Sequence, residues 1–259
     1  MRLNAVIVCG PGRVRKQNQD NFYLNGSYRG AVDDTRDLIG SLTGLPGGVF
    51  AVADGMGGEK HGELASLETV RCLRAAASRG VPDLEDVIRA ANDQVCELIM
   101  SYGGVRIGTT FVGLSFAGDT VTMTNIGDSR AYRWRAGLLQ QLSRDDTLIR
   151  QLLEQGIIDA EKAKTHSARH RITQHIGIFP EEMLIEPYTV RDLPRRGDLY
   201  LLCSDGLTDM VEDEEICAIL GAIGPVQKKA EALFKTALFN GGRDNCTVLL
   251  VEVAEEGTA

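Results

Sequence analysis

The sequence of 259 residues predicts an α+β fold in which antiparallel strands pack against helices. Segments rich in Val, Thr, Phe and Tyr, which are typical of strands, outnumber segments with helical spacing. Pairs of turn-forming residues separate neighbouring strand segments where hairpins need them. The helical segments come in pairs, and together these features indicate antiparallel sheet packed against helices.

The first third of the chain contains three predicted strands and two predicted helices. The strands cover residues 3–9, 20–25 and 47–53, and the polar stretch from Gly26 to Gly47 is expected to be a long surface loop. In the second helix, Asp83 has the side chain of an N-cap, and apolar residues recur at helical spacing from Leu84 to Ile99. This spacing predicts one apolar stripe that faces a core.

After residue 104 the periodicity becomes that of strands, predicted at 108–116, 120–126 and 129–134. Gly118-Asp119 and Ala136-Gly137 have the residue types of hairpin turns. A mixed helical and loop segment follows at 143–180, then strands at 183–190 and 198–204, helices near 212–221 and 225–239, and a strand at 246–253. No repeat, low-complexity tract or long linker interrupts the chain, so a single domain over residues 1–259 is expected.

Composition excludes several classes of function. The chain has 28 Lys and Arg against 36 Asp and Glu, a formal net charge of −8, whereas a general binder of nucleic acid or of anionic membranes needs a basic surface. No apolar stretch approaches the ~20 residues that span a bilayer, and the N-terminus has the pattern of a first strand rather than of a signal peptide. The six cysteines show no C-x-x-C spacing, so we expect reduced, buried thiols in a cytoplasmic protein.

Two apolar strands end in the same dipeptide. Residues 49–53 run into Asp54-Gly55, and residues 199–204 run into Asp205-Gly206. A third carboxylate, Asp244, directly precedes the last strand. If that strand is antiparallel to the other two, its start lies beside their ends, and the three carboxylates converge at one sheet edge.

Clustered carboxylates raise each other's pKa unless a cation neutralises them. Oxygen ligands favour hard cations such as Mg²⁺ or Mn²⁺. Each Asp-Gly pair alone is better explained as a turn, since this dipeptide is common in turns. The convergent trio, in contrast, favours a metal site.

Two other segments place charged residues near strand ends. Arg15 lies in the polar run before the second strand, and Arg is the side chain best suited to bidentate recognition of a phosphate. Taken alone, it is better explained as a solvated loop charge. Asp128 lies at a strand junction, where a turn role and a ligand role are equally supported.

Together these segments resemble the metal-dependent type 2C protein phosphatase family in its short bacterial form. Six motifs occur in family order and spacing over nearly the whole chain: Arg15 to Asp20, Asp54 to Gly58, Gly108 to Thr110, Gly127 to Arg130, Ser204 to Thr208 and Arg243 to Asn245. The resemblance implies a four-layer αββα sandwich, with two central antiparallel β-sheets flanked by helix pairs. It also implies Mn²⁺- or Mg²⁺-dependent hydrolysis of phosphoserine and phosphothreonine on proteins.

The resemblance assigns the metal ligands by position. Asp54 would bridge two Mn²⁺ or Mg²⁺ ions, and the Gly55 carbonyl would ligate one of them. Asp205 and Asp244 would hold the other ion. No Cys or Ser nucleophile is required, and Cys203 is expected in the core.

Further roles follow from the same resemblance. Asp20 would act through metal-bound water, and Arg15 would grip the substrate phosphate. Asp128 would ligate a weaker third metal, with Asp209 at its border. Two departures are Gln19, where many relatives have Glu, and Met56, which replaces a histidine proposed as general acid in eukaryotic relatives but is shared with bacterial ones.

Residues 143–180 match the flap subdomain of the family, which overhangs the metal site. Within it, residues 162–175 contain two Lys, two Arg, three His and no acidic residue. We expect Lys164, Arg169 and Arg171 to form the side of the groove that faces an anionic substrate. A solvated helix and loop would explain these charges equally well.

Three alternative functions differ from this prediction in the features that they require. A catalytically weak phosphoprotein-binding regulator would lack metal ligands, whereas Asp54, Asp205 and Asp244 are all present. Phosphatases of partner-switching regulators often lack the arginine motif, so Arg15 disfavours that class. A hydrolase of small phosphate esters would have a deep pocket without a flap. We further expect phosphorylated protein substrates, a eukaryote-like Ser/Thr kinase counterpart, a monomer, and no nucleic-acid or membrane partner.

Overall fold

The computed structural model describes residues 1–32, 36–56 and 61–254, with only the backbone of residues 160, 164 and 165. Its strands are β1 (Arg2–Gly10), β2 (Asp20–Leu24), β3 (Ser27–Tyr28), β4 (Leu38–Leu45), β5 (Gly48–Met56), β6 (Gly108–Thr109), β7 (Phe111–Ala117), β8 (Thr120–Ile126), β9 (Arg130–Arg135), β10 (Leu138–Gln141), β11 (Tyr188–Asp192), β12 (Leu199–Cys203) and β13 (Cys246–Ala254). Its helices are α1 (Gly62–Ala77), α2 (Leu84–Ser101), α3 (Leu148–Glu154), α4 (Ala160–Thr165), α5 (Asp205–Thr208), α6 (Asp213–Gly221) and α7 (Val226–Phe239).

The strands form two sheets. One sheet has the order β10-β9-β12-β13-β1-β4, and the other has the order β11-β8-β7-β5-β2-β3, with β6 paired to β5. The pairings between these described strands are antiparallel. The long apolar strands β5 and β13 lie inside their sheets, so each is paired on both sides.

Alternation along the central strands builds four layers. In β5, Phe50 and Val52 face the other sheet, while Ala51 and Ala53 pack with α1 and α2 on the outer face. In β13, Leu249 points between the sheets and Leu250 packs with the helices α6 and α7. Both faces of these strands are therefore buried, and the predicted αββα sandwich is confirmed.

Several predicted elements are confirmed. The side chain of Asp83 accepts a hydrogen bond from the Glu85 backbone at 2.9 Å and caps α2. Hairpin turns occur at Gly118, with φ 58°, and at Ala136, with φ 49°. Cys203 is fully buried in the core, and the six cysteines are free thiols, but Cys72 and Cys217 are half-buried rather than buried as predicted. Among the described residues, no helix is long and apolar enough to cross a membrane.

The prediction of a long surface loop from Gly26 to Gly47 is wrong. This segment contains β3 and the edge strand β4, which pairs with β1 and places Gly40 opposite Ile7. Two glycines interrupt β4 and none of its residues is fully buried, so it lacks the apolar run that marks the central strands. A Cβ at Gly40 would lie 3.2 Å from Ile7 Cγ2, so a small residue fits closely there.

Two further strand boundaries differ from the prediction. The strand predicted at 183–190 begins only at Tyr188, because Pro187 lacks the N–H that a ladder needs. The strand β10, which follows the Ala136-Gly137 turn, was not predicted. Its four residues are mostly exposed, so it has no apolar alternation to reveal it.

Candidate active site

Four carboxylates converge at one end of the sandwich. Asp54 is near the end of β5, and Asp20 opens β2 directly opposite Asp54 in the strand register. Asp205 opens α5 immediately after β12, and Asp244 precedes β13. The end of β12 lies beside the start of β13, as predicted, because these strands pair antiparallel.

The prediction of a single sheet edge is wrong. The strands β2 and β5 belong to one sheet, whereas β12 and β13 belong to the other. The carboxylates therefore meet across the gap between two sheets. Periodicity shows that a strand is buried on both faces but not which sheet it joins, so this arrangement was not accessible from the pattern.

The cluster has the electrostatics of a cation site. Burial raises the pKa of Asp54 well above its usual range, and the charges of Asp20 and Asp205 raise it further. Burial also raises the pKa of Asp205 well above its usual range, and the charges of Asp128 and Asp244 raise it further. Burial raises the pKa of Asp20 to about 6. A divalent cation would remove this repulsion by favouring the ionised carboxylates.

The residues present fit a hard divalent cation. The donors that converge are carboxylate oxygens, which select Mg²⁺ or Mn²⁺ over softer metals. In addition, Oδ1 of Asp20 is buried and has no hydrogen-bond partner within the described part of the chain. A buried, unpartnered carboxylate oxygen is costly unless a ligand completes it. The site therefore provides both the charge and the open acceptor that a hydrated cation needs.

The two Asp-Gly pairs are not turns, contrary to the interpretation of each taken alone. Gly55 lies within β5 and Gly206 within α5. A Cβ at Gly55 would lie 2.3 Å from the Gly62 carbonyl oxygen, and one at Gly206 would lie 1.9 Å from the Asn245 carbonyl oxygen. These glycines allow the backbone segments of the site to approach one another closely.

The motif from Gly108 to Thr110 holds the backbone of Asp54. The Asp54 amide donates to Thr110 Oγ1 at 3.0 Å, and the Asp54 carbonyl accepts from Thr109 Oγ1 at 2.8 Å. Thr110 Oγ1 is also 2.7 Å from Ser129 Oγ, which links this motif to the one around Asp128. Sequence reasoning identified both motifs but found no role for these hydroxyls.

Arg15 lies at the rim of the same cluster. Its side chain is 54% exposed, and its Nη2 donates to Asp244 Oδ2 at 2.6 Å. This hydrogen bond raises the pKa of Arg15, and the negative charges of Asp205 and Asp54 raise it further. The guanidinium therefore lies within the electrostatic field of the carboxylates.

The loop that carries Arg15 is tied down by Asn245, a residue that sequence reasoning missed. Asn245 Nδ2 donates to the carbonyls of Pro11 at 3.1 Å and Gln17 at 2.8 Å. Asn245 Oδ1 accepts from the Gln19 amide at 2.8 Å. The sequence signal for Asn245 was its place in the motif from Arg243 to Asn245, where it was assigned no role.

A groove of about 900 Å³ leads away from the carboxylates beneath the flap. On the side of the sandwich the groove is lined by Asp128, Asp205 and Asp209, and on the side of the flap by Arg169 and His170. Burial, followed by the charge of Asp145, raises the pKa of the half-buried Asp128 to about 7. His170 Nδ1 lies 3.5 Å from Asp209 Oδ2, so the flap and body meet at this point.

The three residues predicted to line the groove differ in where the structure places them. Arg169 lines the groove, whereas Arg171 is exposed and is not among the residues that line it. The side chain of Lys164 lies outside the described residues, as do Gly57 and Gly58 of the second motif. His61 directly precedes α1 and packs against Tyr102, with ring centroids 4.9 Å apart.

A double sheet flanked by helices, with a carboxylate cluster between its sheets and an arginine at the rim, has the groups that metal-assisted hydrolysis of a phosphate ester requires. A model of the protein phosphatase 2C family matches residues 35–238. The chain belongs to this family.

Individual relatives support the assignment. The chain is 36% identical over 250 residues to the serine/threonine protein phosphatase PstP of Mycobacterium tuberculosis, covering 94% of this chain but only 44% of that protein. It is 34% identical to the serine/threonine phosphatase stp of Listeria monocytogenes, covering 93% of this chain and 92% of that one. The crystal structure of the mycobacterial PstP superposes with a TM-score of 0.83 at 32% identity, covering 98% of this chain and 100% of that chain. A PstP catalytic domain solved in complex with two manganese ions has a TM-score of 0.79 at 31% identity, covering 98% and 99%.

Proposed function

We propose that the chain hydrolyses phosphoserine and phosphothreonine on proteins, with divalent cations held by the carboxylate cluster. The single observation that supports this most is the convergence of Asp20, Asp54, Asp205 and Asp244 from two sheets, with a buried acceptor left open on Asp20. Membership of the phosphatase 2C family supplies the reaction class.

We propose two Mn²⁺ or Mg²⁺ ions per chain. Asp54 and the Gly55 carbonyl would contact one ion, and Asp54, Asp205 and Asp244 would contact the other. Asp128 would hold a weaker third ion beside Asp205. The two manganese ions of the related PstP domain support this count.

Bound there, such cations supply a nucleophilic water of lowered pKa and screen the phosphate oxygens. The chain's own residues orient the reactants. Asp20 Oδ1 is free to accept a hydrogen bond from that water. Arg15 has a planar fork that matches two phosphate oxygens, and its exposed pairing with Asp244 leaves it able to turn to a substrate. Together these groups favour in-line attack and neutralise charge on the phosphoryl group.

Arg169 is the flap residue best placed to meet an anionic protein substrate. The three other arginines that line the groove pair with carboxylates: Arg130 with Asp145 at 2.6 Å, Arg144 with Asp146 at 3.5 Å and Arg150 with Glu154 at 2.7 Å. The Nε of Arg169 instead donates to His170 Nε2 at 2.7 Å. Within the described part of the chain Arg169 pairs with no carboxylate, so we assign Arg169, and not the exposed Arg171, to the groove, and Lys164 stays a prediction.

The alternatives are less well supported. A non-catalytic phosphoprotein-binding regulator does not require the full carboxylate set, and a phosphatase of partner-switching regulators does not require Arg15. An open groove of about 900 Å³ under a flap suits a protein segment better than a small ester. A eukaryote-like Ser/Thr kinase as counterpart, a monomeric state and a cytoplasmic location are part of the proposal.

The test is release of phosphate from a phosphothreonine peptide as a function of Mn²⁺ concentration. Asp54→Asn and Asp205→Asn keep side-chain volume and remove a ligand charge, so both should lose activity by at least about a hundredfold. Asp119→Asn, at an exposed hairpin turn, serves as the matched control. Metal-independent activity, or full activity in both site variants, would refute the proposal.

A further inference from the structure

Asp20 is the most deeply buried carboxylate of the site, and its two oxygens have different surroundings. The residue is 0% exposed. Its Oδ2 accepts hydrogen bonds from Ser204 Oγ and Thr247 Oγ1, both at 2.7 Å. Its Oδ1 is buried without a partner among the described residues. One oxygen is therefore fully occupied by protein hydroxyls, and the other is left open.

The direction of the serine hydrogen bond is set by its surroundings. Ser204 Oγ accepts from the Thr247 amide at 3.0 Å, so its own proton is available for Asp20. Thr247 Oγ1 lies 3.1 Å from Cys9 Sγ as well, but its single proton is better placed on a carboxylate than on sulfur. Both hydroxyls are therefore donors to Asp20.

These hydroxyls come from the opposite sheet. Asp20 is on β2, while Ser204 follows β12 and Thr247 is on β13. The two bonds thus cross the gap between the sheets at the end where the other carboxylates gather. A carboxylate alone rotates broadly about χ2, and two donors on one oxygen restrict that rotation.

We infer that Ser204 and Thr247 are positioning residues that hold Asp20 with Oδ1 facing the water shell of the bound cations. The inference deepens the proposed metal site and rests on it. It accounts for the serine that precedes Asp205 and for the threonine three residues after Asp244. Hydrogen bonds that orient the residues surrounding a bound metal commonly tune metal affinity in this way.

The test is calorimetric titration of the metal-free full chain with Mn²⁺. Thr247→Val removes the hydroxyl and keeps the shape of the side chain, whereas Thr247→Ser keeps the hydroxyl. We expect Thr247→Val to weaken Mn²⁺ binding about tenfold or more, and Thr247→Ser to retain most of the affinity. Ser204→Ala should weaken binding to a similar extent.

Two controls separate positioning from general stability. Thr124→Val removes another buried hydroxyl contact, with Thr189 at 3.1 Å between β8 and β11, and should leave Mn²⁺ affinity unchanged. In an Asp20→Ala background, Thr247→Val should cause no further loss of affinity, because its partner is gone.

The outcomes distinguish this inference from the proposal beneath it. A folded Thr247→Val variant with wild-type affinity, or an undiminished effect in the Asp20→Ala background, would overturn the positioning role. If Thr247→Val does not give a cooperative melting curve, Ser204→Ala is judged by the same two criteria. A wild-type chain that binds no Mn²⁺ would instead refute the metal site itself.

Discussion

Asn245 ties the arginine loop to the start of β13, and the substitution Asn245→Ala tests how the substrate end of the site is built. The substitution removes two hydrogen bonds from Nδ2, to Pro11 and Gln17, and one to Oδ1, from Gln19. Each such bond contributes about 0.5–1.5 kcal/mol net, so the free energy of unfolding should fall by roughly 2–4 kcal/mol.

A larger consequence is expected for substrate binding. Arg15 lies in the middle of the segment that these bonds hold, so a free loop must be ordered again when a phosphate binds. Ordering one residue costs about 1–2 kcal/mol, and 1.4 kcal/mol corresponds to about a tenfold change in binding. We therefore expect KM for a phosphothreonine peptide to rise about tenfold, with a smaller change in kcat.

The assay is steady-state hydrolysis at saturating Mn²⁺, with Asn92→Ala as the matched control. Asn92 is also 4% exposed and also makes three hydrogen bonds, to the Ile178 carbonyl and from the amides of Gly177 and Ile178. Its loss should lower stability comparably and leave KM near the wild-type value.

A double variant decides whether Asn245 acts through the arginine. If it does, adding Asn245→Ala to Arg15→Ala leaves KM at the value of Arg15→Ala alone. Additive increases in KM would refute the reasoning, because they would show that Asn245 affects binding by another route.

Three further predictions concern packing, protonation and the flap. A Cβ at Gly206 would lie 1.9 Å from the Asn245 carbonyl oxygen, so Gly206→Ala should lower the Tm measured by calorimetry by roughly 2–12 °C. The control is Gly30→Ala, which should leave Tm unchanged because a Cβ there would meet nothing within 4 Å. Burial raises the pKa of Asp20 to about 6, so the folded metal-free chain binds a proton that the unfolded chain has lost above about pH 4. The contribution of Asp20 to the free energy of unfolding should therefore fall as pH rises from about 4 through about 6 and should stay constant above that pKa; Asp20→Asn should remove this part of the decline, and an unchanged slope between these pH values would contradict the assignment. Arg169→Ala should raise KM for a phosphopeptide several-fold more than for a small aryl phosphate, and equal effects, or an equal effect of Arg171→Ala, would argue against a groove role.

The parts of the fold that follow from local pattern were predictable. The cap at Asp83 and the hairpin turns at Gly118 and Ala136 depend on residue types next to one another in sequence. The strands that end in Asp54 and Asp205 have long apolar runs because both of their faces are buried. Edge strands such as β4 lack that signal, since one of their sides faces solvent.

The parts of the site that depend on distant segments were not predictable from pattern. Each Asp-Gly pair taken singly suggests a turn, because the backbone that approaches Gly55 and Gly206 is not adjacent to them in sequence. Asn245 and the two hydroxyls that donate to Asp20 were missed for the same reason, because each of these hydrogen bonds joins residues at least 184 positions apart. Motif order identified the family but could not show what these neighbours do.

The origin of the site in two sheets has a consequence for stability. Asp20 and Asp54 come from one sheet, and Asp205 and Asp244 from the other, so in the absence of a cation their repulsion opposes the packing of the sheets at this end. A cation shared between the two groups would reverse the sign of that interaction, and its binding free energy would add to the free energy of folding. Part of the net charge of −8 is thus concentrated where cations would neutralise it, while the basic segment 162–175 lies in the flap above. Some of the acidic residues that argue against nucleic-acid binding therefore belong to a site that is complete only when its cations are bound.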